Sequence, residues 1–255
     1  MNDHSPVVLI TGAGRGIGSA FAKKFMDDGA DVALNFRRSE GKAAANIERL
    51  IIHAGRVGVR AYRARADISE PREVAWMIDT LREQGVSHID HLILNAASAP
   101  FKPFSQMTHK NWKVLFGTNL TGNLTCVNHV KPLMSPGSTI CVISSMGSRR
   151  ALLAYPLGIV KSALEGMVRY LEAELYSEDI RVNGICAGLV NTDMLPTLKK
   201  LWPDLIERYK AQERRWLVEP EEIANIAAFL TSQSSSAIRG EIIMADGGML
   251  TSAFN

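Results

Sequence analysis

Cysteine is scarce in this 255-residue chain, which has three: Cys126, Cys141 and Cys186. They are too few and too scattered for a disulfide framework or a metal centre. Cys141 and Cys186 sit in apolar runs, as buried thiols in a reducing compartment do. No apolar run reaches the roughly 18 residues that a membrane helix needs. Net charge is only +3, without a long basic block or a basic stripe interleaved with aromatics, so no nucleic-acid partner is expected. No linker, repeat or low-complexity segment divides the chain, and residues 1–255 read as one domain. The first apolar run begins by Val7, leaving no room before it for a signal peptide, and a cytoplasmic protein is expected.

What is present is an alternation. Short apolar runs at 6–10, 31–36, 59–64, 90–94, 138–143, 180–186 and 241–245 read as strands. Helical patterns fall between and after them, at 17–28, 40–54, 71–84, 108–134, 156–177, 194–213 and 220–231. Strict alternation implies a parallel sheet covered by helices on both faces, an α/β doubly wound Rossmann-type fold of about seven strands.

Directly after the first run comes TGAGRGIG, Thr11–Gly18. Strand, glycine turn and helix together bind a dinucleotide: the glycines admit a pyrophosphate, and the helix N-terminus offers N–H groups. Gly12, Gly16, Ile17 and Gly18 are the candidate contacts. The second strand ends in Phe36-Arg37-Arg38-Ser39, with no acidic residue to accept from a ribose 2′-hydroxyl. Two guanidinium groups match a 2′-phosphate instead, with Arg15 a possible third, so NADPH is preferred over NADH; the alternative is ordinary surface charge. Asp67, before Ile68, either accepts from the adenine amino group or caps the next helix with Ser69 and Pro71. Asn95-Ala96-Ala97 closes the fourth strand with small residues that suit a ligand's close approach.

TGAGRGIG, Asp67-Ile68, Asn95-Ala96-Ala97, Asn119, Ser144-Ser145, Lys161 and Asp246-Gly247-Gly248 stand in the order and spacing of the short-chain dehydrogenase/reductases. The chain resembles that family from about residue 6 to 249. The resemblance implies hydride transfer with NADPH/NADP+. It also implies a homotetramer or homodimer built on the helix after Pro156 and on Met249–Asn255. By the same resemblance, Asn119 holds a helix kink and a relay water, Ser145 bonds a substrate carbonyl, and Lys161 grips the nicotinamide ribose. The Lys161 ammonium is further expected to lower the pKa of a nearby tyrosine. Gly188, Val190 and Thr192 resemble the family's turn at the cofactor amide, with Ala187 in place of its proline; Thr192 reads equally as a helix cap.

The family's proton donor is a tyrosine four residues before the lysine, but here position 157 is Leu157. Tyr155 is the nearest candidate, six residues before Lys161. On a regular helix, six steps of about 100° point away from Lys161. Proline favours the first helical position, so a helix starting at Pro156 leaves Tyr155 in the loop, free to turn inward. Ser145 and Lys161 are sixteen residues apart, one fewer than is usual in the family, which implies a residue lost from loop 146–154. The segment is most similar to type III enoyl-[acyl-carrier-protein] reductases, whose tyrosine also lies further from its lysine. Tyr155 as proton donor and Tyr155 as mere packing both remain open.

Residues 193–219 resemble the family's substrate lid, with Trp202, Tyr209 and Trp216 in an apolar stripe that also reads as core. Lys199, Lys200, Arg208, Arg214 and Arg215 suit either a carrier protein or CoA phosphate, or simply solvent. The chain thus reads as an NADPH-dependent reductase of a small-molecule substrate, first of a conjugated C=C in an enoyl thioester. A ketone or quinone reductase of a specialised metabolite and a non-catalytic nucleotide-binding subunit are the alternatives.

Overall fold

The computed structural model describes residues 5–204, 206–207 and 217–252. One seven-stranded parallel sheet runs through them in the order β3-β2-β1-β4-β5-β6-β7. The strands are β1 (Val7–Ile10), β2 (Asp31–Phe36), β3 (Ala61–Arg65), β4 (His91–Leu94), β5 (Thr139–Ser145), β6 (Arg181–Ala187) and β7 (Ile242–Ala245). The helices that bear on the site are α1 (Gly16–Asp27), α2 (Lys42–Val57), α3 (Pro71–Glu83), α4 (His109–Phe116), α5 (Gly122–Val130), α6 (Leu157–Leu175), α7 (Leu195–Leu201) and α8 (Pro220–Thr231).

Every residue of β1 is buried, because helices cover both faces. Alternate side chains serve opposite layers. Val7 and Leu9 join a core with α3, α5 and α6, whereas Val8 and Ile10 join one with α1, α2 and α8. Strand order reverses between β1 and β4, which opens a crevice at their C-terminal ends. No helix among the described residues is long and apolar enough to cross a membrane.

Three expected helices differ from those observed. α2 runs past Gly55 to Val57 because its stop is Gly58, at φ +81° in the left-handed region. The pattern at 108–134 is not one helix. A wide turn, Gly117–Thr121, separates α4 from α5, since the Asn119 side chain takes the Leu115 carbonyl at 2.7 Å. The helix expected at 194–213 is α7, which ends at Leu201; residue 205 and residues 208–216, including Tyr209 and Trp216, lie outside the described residues.

A buried asparagine ties the sheet to the glycine turn. Asn35 Nδ2 donates to the carbonyls of Ala64 at 2.9 Å and Ala66 at 3.2 Å, and its Oδ1 accepts from Gly12 N at 3.1 Å. Asn35→Ala leaves these groups without that side chain. Urea unfolding is expected to show a loss of about 2–4 kcal/mol, and an unchanged midpoint contradicts this role.

Candidate active site

The glycine turn is built for close approach. Gly12 and Gly16 have φ of +68° and +53°. A Cβ on Gly18 would lie 2.2 Å from the Gly12 carbonyl oxygen and 2.7 Å from Asn95 Nδ2, so no larger residue fits. Asn95 staples this turn: its Nδ2 donates to the carbonyls of Thr11 at 3.0 Å and Gly12 at 3.2 Å. Ala96 closes the opposite wall, its N–H donating to Thr11 Oγ1 at 3.0 Å. No side chain caps α1, so the N–H groups of its first turn are left to a ligand. Ile17 turns away and packs in the core.

Arg37, Arg38, Ser39, Glu40 and Arg65 line an open hollow of about 320 Å³ beyond the end of β2. Arg65 escapes sequence reading because only strand register brings it opposite Phe36. Arg15 is not part of this lining; it precedes α1 in extended conformation. Asp67 is already engaged. Its Oδ1 accepts from the Ser69 N–H at 3.0 Å and hydroxyl at 2.7 Å, and its Oδ2 lies 3.5 Å from Arg37 Nη1. Glu70, not Asp67, stands at the N-cap position of α3, and its side chain makes no capping hydrogen bond there. The Ile68 side chain is buried, and its carbonyl crowds Gly122.

At the far side, Thr192 packs on Gly16, with Cγ2 3.3 Å from where a Gly16 Cβ would stand. Gly188 is pressed against Asp246, where a Cβ would meet Cα at 2.6 Å. Val190 pairs with Val218 in a short bridge. These two contacts position the turn after β6.

The end of β5 carries two serine hydroxyls. Ser144 turns inward to Glu165, whereas Ser145 points the opposite way, to Tyr155, as strand alternation requires. Ser145 Oγ lies 3.3 Å from Tyr155 Oη. Tyr155 sits in the loop before α6, with Pro156 as the helix cap, and Ala154 at φ +56° turns it inward. The ring packs on Gly147, where a Cβ would come within 2.5 Å of Cε1. Phe101 stacks on Tyr155 with centroids 5.8 Å apart, and Trp202 meets it edge-on at 5.4 Å. Trp202 Nε1 also donates to the Leu153 carbonyl at 2.8 Å, fastening α7 to this loop. The Phe101 contact had no signal in the sequence.

Leu157 fills the position where the resemblance calls for a phenol. It is buried with Leu115 and Val160, against Trp112 and Phe116. Lys161 is buried too, and its Nζ donates to the Ile143 carbonyl at 2.6 Å. Burial lowers its pKa to about 8. Burial also raises the Tyr155 pKa, against a lowering contribution from the Ser145 hydrogen bond. The expected lowering by Lys161 is therefore not what this geometry produces; the hydroxyl partner of Tyr155 is Ser145.

Asn119 is fully buried in the wide turn. Its Nδ2 donates to Ser98 O at 2.6 Å and Leu115 O at 2.7 Å, and its Oδ1 accepts from Ser98 N. The side chain thus holds the kink, while its carbonyl accepts from Asn123 Nδ2 at 2.7 Å. Burial pushes the thiols of Cys126 and Cys141 up to about 12 and that of Cys186 to about 11, so none is a thiolate near neutrality. No metal-binding group occurs among the described residues.

A family model described as Enoyl-(Acyl carrier protein) reductase matches residues 12–250. The chain is 30% identical over 245 residues to 3-oxoacyl-[acyl-carrier-protein] reductase FabG of Staphylococcus epidermidis, covering 94% of this chain and 97% of that one. It is 27% identical over 253 residues to 1-cyclohexenylcarbonyl-CoA reductase of Streptomyces collinus, covering 97% and 88%. Among solved structures it is similar to a short chain dehydrogenase from Burkholderia cenocepacia in complex with NADP. That likeness has a TM-score of 0.86 at 25% identity, over 96% of this chain and 98% of the other.

Lysine burial has a pH signature. Between about pH 8 and 10.5 the folded protein holds fewer protons at Lys161 than the unfolded chain, so stability at this site rises with pH across that window. Relative to Lys161→Met, the wild type is expected to gain up to about 3 kcal/mol from pH 7 to 10.5 in urea titrations. A pH-independent difference contradicts a buried, depressed lysine.

Proposed function

The chain belongs to the short-chain dehydrogenase/reductase family, and on that premise we propose that it is an NADPH-dependent reductase of the conjugated C=C of an enoyl thioester. The observation that carries this reading is the Tyr155 hydroxyl paired with Ser145 rather than with Lys161. The residues present suit the cofactor: a glycine cradle that a Cβ would fill, a free helix N-terminus and an arginine-lined hollow. NADPH, when bound, supplies the hydride. Arg37, Arg38, Arg65 and Ser39 hold its 2′-phosphate in this reading. Lys161 has three N–H donors and spends one on Ile143, which leaves two for ribose hydroxyls.

Ser145 and Tyr155 put two hydroxyls beside one point, which suits an oxygen that gains charge during reaction. Ketone reduction leaves a strongly basic alkoxide, and its proton donor must give up a proton at that oxygen. Conjugate reduction leaves a thioester enolate, a weaker base, which needs hydrogen bonds at oxygen and takes its proton at the α-carbon from water. A partly buried phenol with a raised pKa stays protonated and donates without ionising, which fits the second requirement. The likeness to a 1-cyclohexenylcarbonyl-CoA reductase and to an enoyl reductase family model supports it. The cleft is apolar and aromatic, with Phe101, Trp202 and Met146 around the hydroxyls, and suits an acyl chain. Exposed Lys199 and Lys200 on α7 fit the phosphates of a carrier-borne or CoA thioester; Arg208, Arg214 and Arg215 lie outside the described residues. Ile159 and Tyr170, exposed on α6, offer a face for a second copy of the chain.

Ketone reduction is the second reading. The 30% identity to a 3-oxoacyl-[acyl-carrier-protein] reductase favours it. NADPH oxidation with crotonyl and acetoacetyl thioesters, side by side, separates the two. Turnover of the crotonyl compound alone is expected; turnover of the acetoacetyl compound alone overturns the first reading. Tyr155→Phe is expected to lower kcat by about 100-fold or more, and an unchanged kcat removes Tyr155 from the mechanism. NADPH is expected to exceed NADH by more than about tenfold in kcat/KM, and Arg37→Ala with Arg38→Ala to erase most of that preference. Equal use of both cofactors by the wild type contradicts the arginine assignment.

A further inference from the structure

Glu165 is a carboxylate that the site described above does not use. It lies on α6, one turn after Lys161, and is only 5% exposed. Its partners come from one short stretch of chain. Ser144 Oγ donates to its Oε1 at 2.8 Å, and the Ser148 hydroxyl lies against the same oxygen. Arg149 Nη2 meets its Oε2 at 2.8 Å. The Ser148 hydroxyl also reaches the Ser145 carbonyl at 2.7 Å, so its single proton serves two acceptors. Ser162, on the same helix, donates to the Ser148 carbonyl at 3.2 Å.

Burying a carboxylate costs much of its solvation, and an ion pair to a half-exposed arginine returns little of it. Stability is therefore a poor account of Glu165. Among the described residues, its hydrogen-bond and ion-pair partners fall within 144–149, around Ser145. Neighbouring strand residues point to opposite sides. With Ser144 held on Glu165, Ser145 is turned toward Tyr155. On the other side, Ser148 fixes the Ser145 carbonyl and the turn that carries Gly147, the seat of the Tyr155 ring.

We infer that Glu165 is a positioning residue that aims the Ser145 hydroxyl at the substrate oxygen by clamping Ser144 and Ser148 on either side of it. The inference rests on the reading that Ser145 holds that oxygen. A double-mutant cycle tests it, with kcat measured on the thioester that the wild type turns over. Glu165→Gln is made in the wild type and in Ser145→Ala, and NADPH affinity is measured by fluorescence titration without substrate. In the wild type, Glu165→Gln is expected to lower kcat at least about tenfold and to leave NADPH affinity within about twofold. In Ser145→Ala it is expected to change kcat by less than about twofold, because the group it aims is gone. The same loss in both backgrounds, or no loss in the wild type, overturns the proposal. If Ser145→Ala alone leaves kcat unchanged, the underlying reading falls, and this inference with it. Should Glu165→Gln fail to fold, Ser148→Ala, which keeps the Glu165–Arg149 pair, enters the same cycle with the same outcomes.

Discussion

The left-handed turn at Ala154 is the constraint on which the site depends. An alanine at φ +56° costs about 1–2 kcal/mol relative to a right-handed conformation. Its neighbours hold it there. The Tyr155 ring fills the space above Gly147, where no Cβ could stand, and Phe101 and Trp202 close on the ring. Gly158, in the first turn of α6, lies so close to Gly147 that a Cβ would come within 2.4 Å of its carbonyl oxygen. Two glycines and one strained alanine thus let a tyrosine outside the helix reach the cleft that Leu157, inside it, cannot serve. The Trp202 hydrogen bond to Leu153 ties the end of α7 to the same loop.

This arrangement separates two tasks. Lys161 is buried and bonded to Ile143, and in the proposed reading it holds the ribose, while the Tyr155 phenol meets a serine hydroxyl in apolar, aromatic surroundings. A low dielectric keeps the phenol protonated and strengthens each hydrogen bond it donates. A fixed donor pair of this kind stabilises charge that appears on an oxygen without reorganising as it appears. Substrate chemistry then sets how much proton transfer is needed, and for an enolate that need is small.

The sheet was legible in the sequence because buried parallel strands are continuous apolar runs bounded by polar and glycine residues; Val7–Ile10 and Ile140–Ile143 are plain examples. Tyr155's place in the loop was legible too, through Pro156. What escaped depends on contacts between distant residues. The wide turn at Gly117–Thr121 arises from one side-chain amide taking the Leu115 carbonyl, which periodicity does not register. Arg65 joins the arginine hollow only through strand register, and Phe101 meets Tyr155 only through the fold of two loops. The lowering of the Tyr155 pKa expected from Lys161 gives way to a rise, with Ser145 as hydroxyl partner, because desolvation and loop packing leave no pattern in the sequence.

The account stands or falls on that partner. Spectrophotometric titration of the phenols in the wild type, with Tyr155→Phe subtracted to isolate one tyrosine of five, reads it directly. Tyr155 is expected to titrate above the ordinary value of 10 and to do so unchanged in Lys161→Met. A phenol that titrates below 10 in the wild type and rises when Lys161 is replaced would contradict the separation of the two groups, and with it the proposed chemistry.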